Sequence, residues 1–187
     1  MDIWELPTSL NVGGVDYKIR TDFRAILDIL KTFDDPNFEE DEKWIVCLKI
    51  LYEDAELIPW EYQEEALRKA VEFIDAGTST EGNKQKPHTM DWEQDAQLII
   101  PAVNKVLNKE IRAEKYLHWW TFLGAYMEIG ECLFSEVVNI RVKKSKGKKL
   151  EKHEEQFYRE NRELIDLKTK LSDEEQEKKD RLNAMLN

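Results

Sequence analysis

Two side-chain pairings are the first places in this 187-residue chain where chemistry could be carried: Asp91 with Asp95, and Glu114 with His118. Each pair is four residues apart, so on a helix its members face the same way. Such groups could serve acid–base catalysis or hold a metal. A carboxylate-bridged metal site, however, takes Glu-x-x-His pairs on two helices, and none of the three histidines supplies one. HExxH and GxSxG are also missing. Cys47 and Cys132 lie far apart and outside any CxxC pairing, so they read as small buried hydrophobes rather than a zinc site or disulfide scaffold. Residues 77–84, GTSTEGNK, have the glycine spacing of a phosphate-binding loop, but Asn83 stands where the lysine belongs and a helix precedes them. They read as a flexible connector. The acidic pairs read as helix caps and solvated faces, and no catalytic residue, metal or cofactor is expected. The chain is expected not to be an enzyme.

The elements that would position these groups follow from hydrophobic spacing. Residues 6–20 carry Gly13-Gly14 ahead of alternating Val15, Tyr17 and Ile19, a two-strand hairpin signal. Thr21 is expected to cap a helix whose face holds Phe23, Ile26, Leu27 and Leu30, ended by Asp34, Asp35 and Pro36. A second helix over 41–53 turns Trp44, Cys47, Leu48 and Leu51 inward. A third starts after Pro59 and stops at Gly77, and the small, polar residues 78–89 form a loop. A fourth, over 91–107, has Asp91 as cap with Gln94 following and a stripe of Trp92, Ala96, Ile99, Val103 and Val106. Pro101 should kink or divide it near Ile100.

Residues 117–134, LHWWTFLGAYMEIGECLF, are almost continuously apolar. Glu128 and Glu131 keep the run short of the roughly 18 apolar residues of a membrane helix. Its spacing predicts a central helix from about Ala113 to Leu133, with Tyr116, Trp120, Leu123 and Met127 on one face and Trp119, Phe122 and Tyr126 on another. His118 then becomes a core-edge histidine hydrogen-bonded to a neighbour. The start, MDIWELPTSL, lacks the pattern of a secretory signal and reads as intracellular.

After SEVVNIRV a basic stretch, RVKKSKGKK over 141–149, marks the expected boundary between a helical domain, 1–142, and a basic linker with a charged helical tail, 143–187. In the tail, Leu150, Phe157, Leu164 and Leu171 recur every seventh residue, and Leu167 adds to the seam. Ser172 to Glu175 match a capping box for a last helix ending near Leu186. So thin an apolar stripe must pack on the body, pack on a partner, or stay partly unfolded. The expected fold is all-α: a multi-helix globular bundle with a small N-terminal β-hairpin and a charged C-terminal helical extension. Hydrophobic residues at 41% support a core, while a formal charge of −11 makes nucleic-acid gripping unlikely.

The succession GGVDYKIRTDFR, DWEQDAQLIIPAVN, LHWWTFLGAYMEI and FSEVVNIRVKK resembles the gene product fifteen family of tailed phages and prophages, over roughly residues 6–165. The resemblance implies a non-enzymatic tail assembly chaperone of the host cytoplasm. It implies as partners the tape measure protein and tail tube subunits, and a homo-oligomer remains open. A tape measure chain is expected to be long, helical and apolar-striped, and to need cover during assembly. The expected contact surface is Trp92 and Ile99 on the kinked helix, with Phe157, Leu164 and Leu171 of the tail. The alternatives are a structural component of the finished tail and an acidic DNA-mimic regulator.

Overall fold

The computed structural model describes residues 4–76 and 89–186, so Gly77 and the phosphate-loop-like spacing lie outside the described residues. The fold is predominantly α-helical, with one small antiparallel hairpin at the N-terminus. Strands β1 (Ser9–Val12) and β2 (Val15–Lys18) pair in the register Leu10↔Tyr17 and Val12↔Val15. Gly13 and Gly14 make the turn at φ +59° and +82°, a region in which a Cβ is strained. A Cβ on Gly13 would also meet the Tyr62 ring at 2.8 Å, whereas one on Gly14 would point into open space. The turn thereby lies against Tyr62 of the short 3-10 segment Trp60–Tyr62, which precedes α3, and the Gly13 N–H donates to Glu65 at 3.1 Å.

Helix α1 (Phe23–Phe33) buries Phe23, Ile26 and Ile29, with Leu27 and Leu30 flanking them, and Asp34 ends it as expected. Its cap is Asp22, not Thr21: the Asp22 carboxylate accepts the Arg24 N–H at 3.0 Å, while the Thr21 hydroxyl is taken by Tyr116 at 2.7 Å. Helix α2 (Glu40–Leu51) turns Cys47, Leu48 and Leu51 inward, and Trp44 packs edge-on against Phe33. Arg20 lies across its C-terminal end and donates to the carbonyls of Lys49, Ile50 and Tyr52 at 2.8–3.1 Å, satisfying acceptors that have no intrahelical partner. Helix α3 (Gln63–Ile74) buries Ala66, Ala70 and Phe73 and packs on the hairpin and α2.

Two helices depart from the sequence reading. The fourth, α4, runs Ala96–Leu107, and residues 91–95 form a capping turn before it rather than its first turn. Pro101 does not divide it, and Val106 is 40% exposed. The helix expected over 113–133 is far shorter: α5 spans only Trp119–Met127. Asp22 accepts the Leu117 N–H at 3.0 Å, and Arg24 donates to the carbonyls of Ile111 and Glu114 at 3.1 and 2.7 Å. Phe23 and Thr21 exchange backbone hydrogen bonds with Leu117 and Trp119. The backbone of residues 111–118 is thus held in part by Asp22, Phe23 and Arg24 at the start of α1, and His118 sits in extended conformation at φ −60°, ψ 138° as the α5 cap. Tyr116 and Met127 are exposed, while Trp119 and Phe122 are buried.

Helix α6 (Leu133–Ser145) runs through residue 142 and ends at Gly147, φ +63°, where Lys148 and Gly147 N–H groups return to the carbonyls of Lys143 and Lys144. That is a Schellman cap, with lysines placed favourably at the negative end of the helix. The seven-residue leucine spacing beyond it does not become one helix. It breaks into α7 (Lys152–Glu160), α8 (Arg162–Ile165), a strap over 167–172 outside any helix or strand, and α9 (Asp173–Leu186). Ile165, off the expected seam, is the fully buried residue, packed with Val137 and Ile140 and flanked by Leu98, Leu150, Phe157 and Tyr158. Ser172 and Glu175 form the capping box of α9 as read.

The hairpin yields a contrast. Gly14→Ala should cost about 1 kcal/mol for the left-handed backbone alone, and Gly13→Ala distinctly more, because Tyr62 must also move. Urea denaturation of both variants measures the difference; equal losses would mean that the ring contact is immaterial.

Candidate functional site

The histidine and tryptophans of residues 117–134 form an interior joint. His118 is 3% exposed; its Nδ1 accepts the Trp120 N–H at 3.1 Å, so Nε2 carries the proton donated to the Pro7 carbonyl at 3.0 Å. The indoles of Trp119 and Trp120 donate to the carbonyls of Ile74 and Phe73, each at 2.8 Å, and so close the C-terminal end of α3. Trp92, Trp119, Phe122 and Tyr126 pack ring to ring at centroid distances of 5.0–6.3 Å. Both nitrogens of His118 are engaged, and Glu114, its expected partner, pairs instead with Lys109 at 3.7 Å.

The other acidic pair does meet, around an arginine. Arg141, 7% exposed, makes a two-point contact with Asp95: Nη1 to Oδ2 at 2.6 Å and Nη2 to Oδ1 at 2.9 Å. Its remaining N–H groups donate to the carbonyls of Ile165, Thr89 and Leu164. All five guanidinium donors are used. Asp95 also accepts the Asp91 N–H at 3.0 Å. Asp91 accepts the N–H groups of Glu93 and Gln94, and its outer oxygen meets Lys170 Nζ at 3.0 Å. Burial opposes the charge on Asp91, but the Gln94 N–H, the Lys170 ammonium and the Glu93 N–H outweigh it and hold the carboxyl below the ordinary aspartate range. The Gln94 side chain grips the strap at Lys168, donating to its carbonyl at 3.0 Å and accepting its N–H at 2.9 Å.

The same tail uses the basic stretch. Lys143 binds Glu154, whose pKa falls chiefly through that contact. Lys144 binds Asp166 at 2.6 Å; burial opposes the Asp166 charge, but Lys144, Arg162 and the Tyr158 hydroxyl draw its pKa down. Arg141, Lys143 and Lys144 thus hold the C-terminal segment on the body.

The expected contact residues do not form one surface. Ile99 is 3% exposed, within the core. Trp92 is half-buried in the aromatic cluster, Phe157 lies against the Val137–Ile140 cluster, Leu171 is half-buried, and Leu164 is 37% exposed. Large apolar side chains stand out elsewhere: Trp60 at 84%, Leu57 at 65% and Val15 at 54% exposure. They lie on segments joined by the Tyr17 hydroxyl bond to the Leu57 carbonyl and by the contact of the Gly13 turn with Tyr62. Cys47 and Cys132 are free thiols; burial pushes Cys47 up to about 12, while Cys132 caps α6 together with Ser135. An open cavity of about 610 Å³ between α6 and α7 is lined by Cys132, His153 and Glu154, but Glu154 is committed to Lys143 and to the Glu151 N–H. Among the described residues, no group of three or more His, Cys, Asp or Glu side chains could hold a metal ion, and every buried side-chain nitrogen and oxygen has a hydrogen-bond partner.

Fold and site together define a helical protein whose interior polar groups serve its own architecture. The chain belongs to the family described as Bacteriophage Gp15 protein, whose model matches residues 3–167. No curated protein and no solved structure matches it.

Breaking the buried pair has a defined cost. Arg141→Met strands the Asp95 carboxylate and should lose about 3–5 kcal/mol in urea denaturation, whereas adding Asp95→Leu should recover part of that loss. The tail contacts also set an acid limit. Asp91, Glu154 and Asp166 have lowered pKa values. Their stabilisation is therefore complete above the unfolded carboxylate range, about pH 4, and is lost as pH falls through the lower folded values. The urea midpoint should hold level from neutral pH down to about 5 and drop below about 4, less steeply in Asp91→Asn. A midpoint that falls equally in both proteins would remove Asp91 from this account.

Proposed function

We propose that this protein is a non-enzymatic chaperone of phage tail assembly that binds the tape measure protein and helps recruit tail tube subunits. One observation carries the reading: a member of a phage protein family engages its buried polar groups internally while leaving large apolar side chains such as Trp60 and Leu57 in solvent. Exposed apolar groups on an acidic body suit transient cover of an apolar-striped helical chain. Several copies acting along such a chain would gain avidity from repetition while each contact stays weak enough for tube subunits to displace it. No helix among the described residues is long and apolar enough to cross a membrane, and the reading places the protein in the host cytoplasm during assembly.

A DNA-mimic role draws less support, because acids on the tail helices alternate with their own basic partners, as in Glu155–Arg159 and Glu177–Arg181. A rigid double row of free carboxylates is what mimicry requires.

Coexpression with the tape measure protein followed by affinity capture tests the proposal: the two should copurify, and failure to associate would defeat it. Trp60→Ala combined with Leu57→Ala should cut capture several-fold while leaving stability within about 0.5 kcal/mol of wild type per substitution. Mass spectrometry of purified particles should lack the protein; its presence there would favour a structural tail component.

A further inference from the structure

The strap over residues 167–171 lies on the body as a bound peptide would. Among the described residues it makes no backbone–backbone hydrogen bond. Gln94 instead pairs with both the N–H and the carbonyl of Lys168, as a neighbouring strand would. Two residues on, the Lys170 ammonium reaches Asp91 at 3.0 Å and Glu93 at 3.8 Å. Asp91 is 1% exposed and fixed by two backbone N–H groups, so its orientation is set by the body rather than by the lysine. Open cavities of about 370 and 390 Å³, both lined by Lys170, adjoin the strap, so the groove is wider than what occupies it. Finally, Asp91, Glu93 and Gln94 fall within the matched family region, residues 3–167, while Lys168 and Lys170 lie beyond it.

We propose that Gln94, Asp91 and Glu93 form a receptor for an extended, lysine-bearing segment of a partner protein, and that residues 167–171 of this chain occupy it as a displaceable internal ligand. The segment is recognised by its backbone at one residue and by an ammonium group two residues later. Its attachment is polar and partly solvated, which suits exchange rather than permanent closure. Being tethered, the strap competes at high effective concentration, so an external segment binds weakly until the strap is released.

The test uses the full chain and a labelled peptide with the sequence of residues 166–172, followed by NMR titration up to millimolar peptide. Its result does not depend on capture of the tape measure protein. Lys170→Ala weakens the internal ligand and leaves the receptor intact; it should bind the peptide about tenfold more tightly than wild type. Adding Gln94→Ala should abolish that gain, and a peptide carrying Lys170→Glu should not bind. Lys168→Pro, which removes the N–H that Gln94 accepts, should reproduce the gain, with a wild-type circular dichroism spectrum at the titration temperature certifying the fold. Equal affinity for wild type and Lys170→Ala, or no binding to Lys170→Ala at millimolar peptide, overturns the proposal. A concentration-dependent wild-type dimer that disappears with Gln94→Ala also overturns it, by placing the strap of a second copy in the groove.

Discussion

The two-point contact between Arg141 and Asp95 is the constraint on which the C-terminal half depends. An arginine that is 7% exposed has lost most of its hydration, and it regains partners only if five acceptors converge on it. Those acceptors come from the segment before α4, from the Asp95 turn, and from the end of α8. The guanidinium therefore fixes how two pieces of chain, 89–95 and 164–165, sit against α6. An apolar residue of similar volume could fill the space, but it would impose no such register. Ile165 gives its carbonyl to Arg141 and buries its side chain against Val137 and Ile140.

A second set of contacts does the same for the N-terminal half. The blocks that carry the family resemblance prove to be the two sides of its joints. Asp22 and Arg24 of GGVDYKIRTDFR hold the backbone entering LHWW, and the tryptophans of LHWW close α3. Asp95 of DWEQDA meets Arg141 of FSEVVNIRVKK. These residue types look chemical in isolation, yet Asp91, Asp95, His118 and Arg141 are each engaged by backbone groups or by an opposite charge.

What was legible in the sequence divides along the same line. The hairpin at Gly13-Gly14, the inward stripes of α1 and α2 and the Ser172–Glu175 box are decided by residues within a few positions, and they appear as read. The long helix over 113–133 was not legible, because its apolar spacing is genuine while the backbone of residues 111–118 is claimed by Asp22 and Arg24, some ninety positions earlier. Arg141 was hidden for a similar reason: in a run of lysines it resembles solvated charge. Its signal was position, one turn after Val137 and next to Ile140, on the buried face of α6. The leucine repeat misled in the opposite sense, since Asn161 interrupts the helix and transfers burial from Leu164 to Ile165.

The charge distribution then bears on how such a molecule can meet others. A formal charge of −11 describes the whole chain, and half of the basic stretch is paired inside it, Arg141 with Asp95, Lys143 with Glu154 and Lys144 with Asp166, while Lys146, Lys148 and Lys149 are exposed. In the proposed function, the net acidity would favour basic or neutral partners at long range, while short-range contact would fall to exposed apolar groups such as Trp60 and Leu57. An encounter guided by charge and held by a few apolar side chains forms quickly and releases readily. Those are the kinetics that the proposed function, cover of a surface until a permanent subunit arrives, would demand.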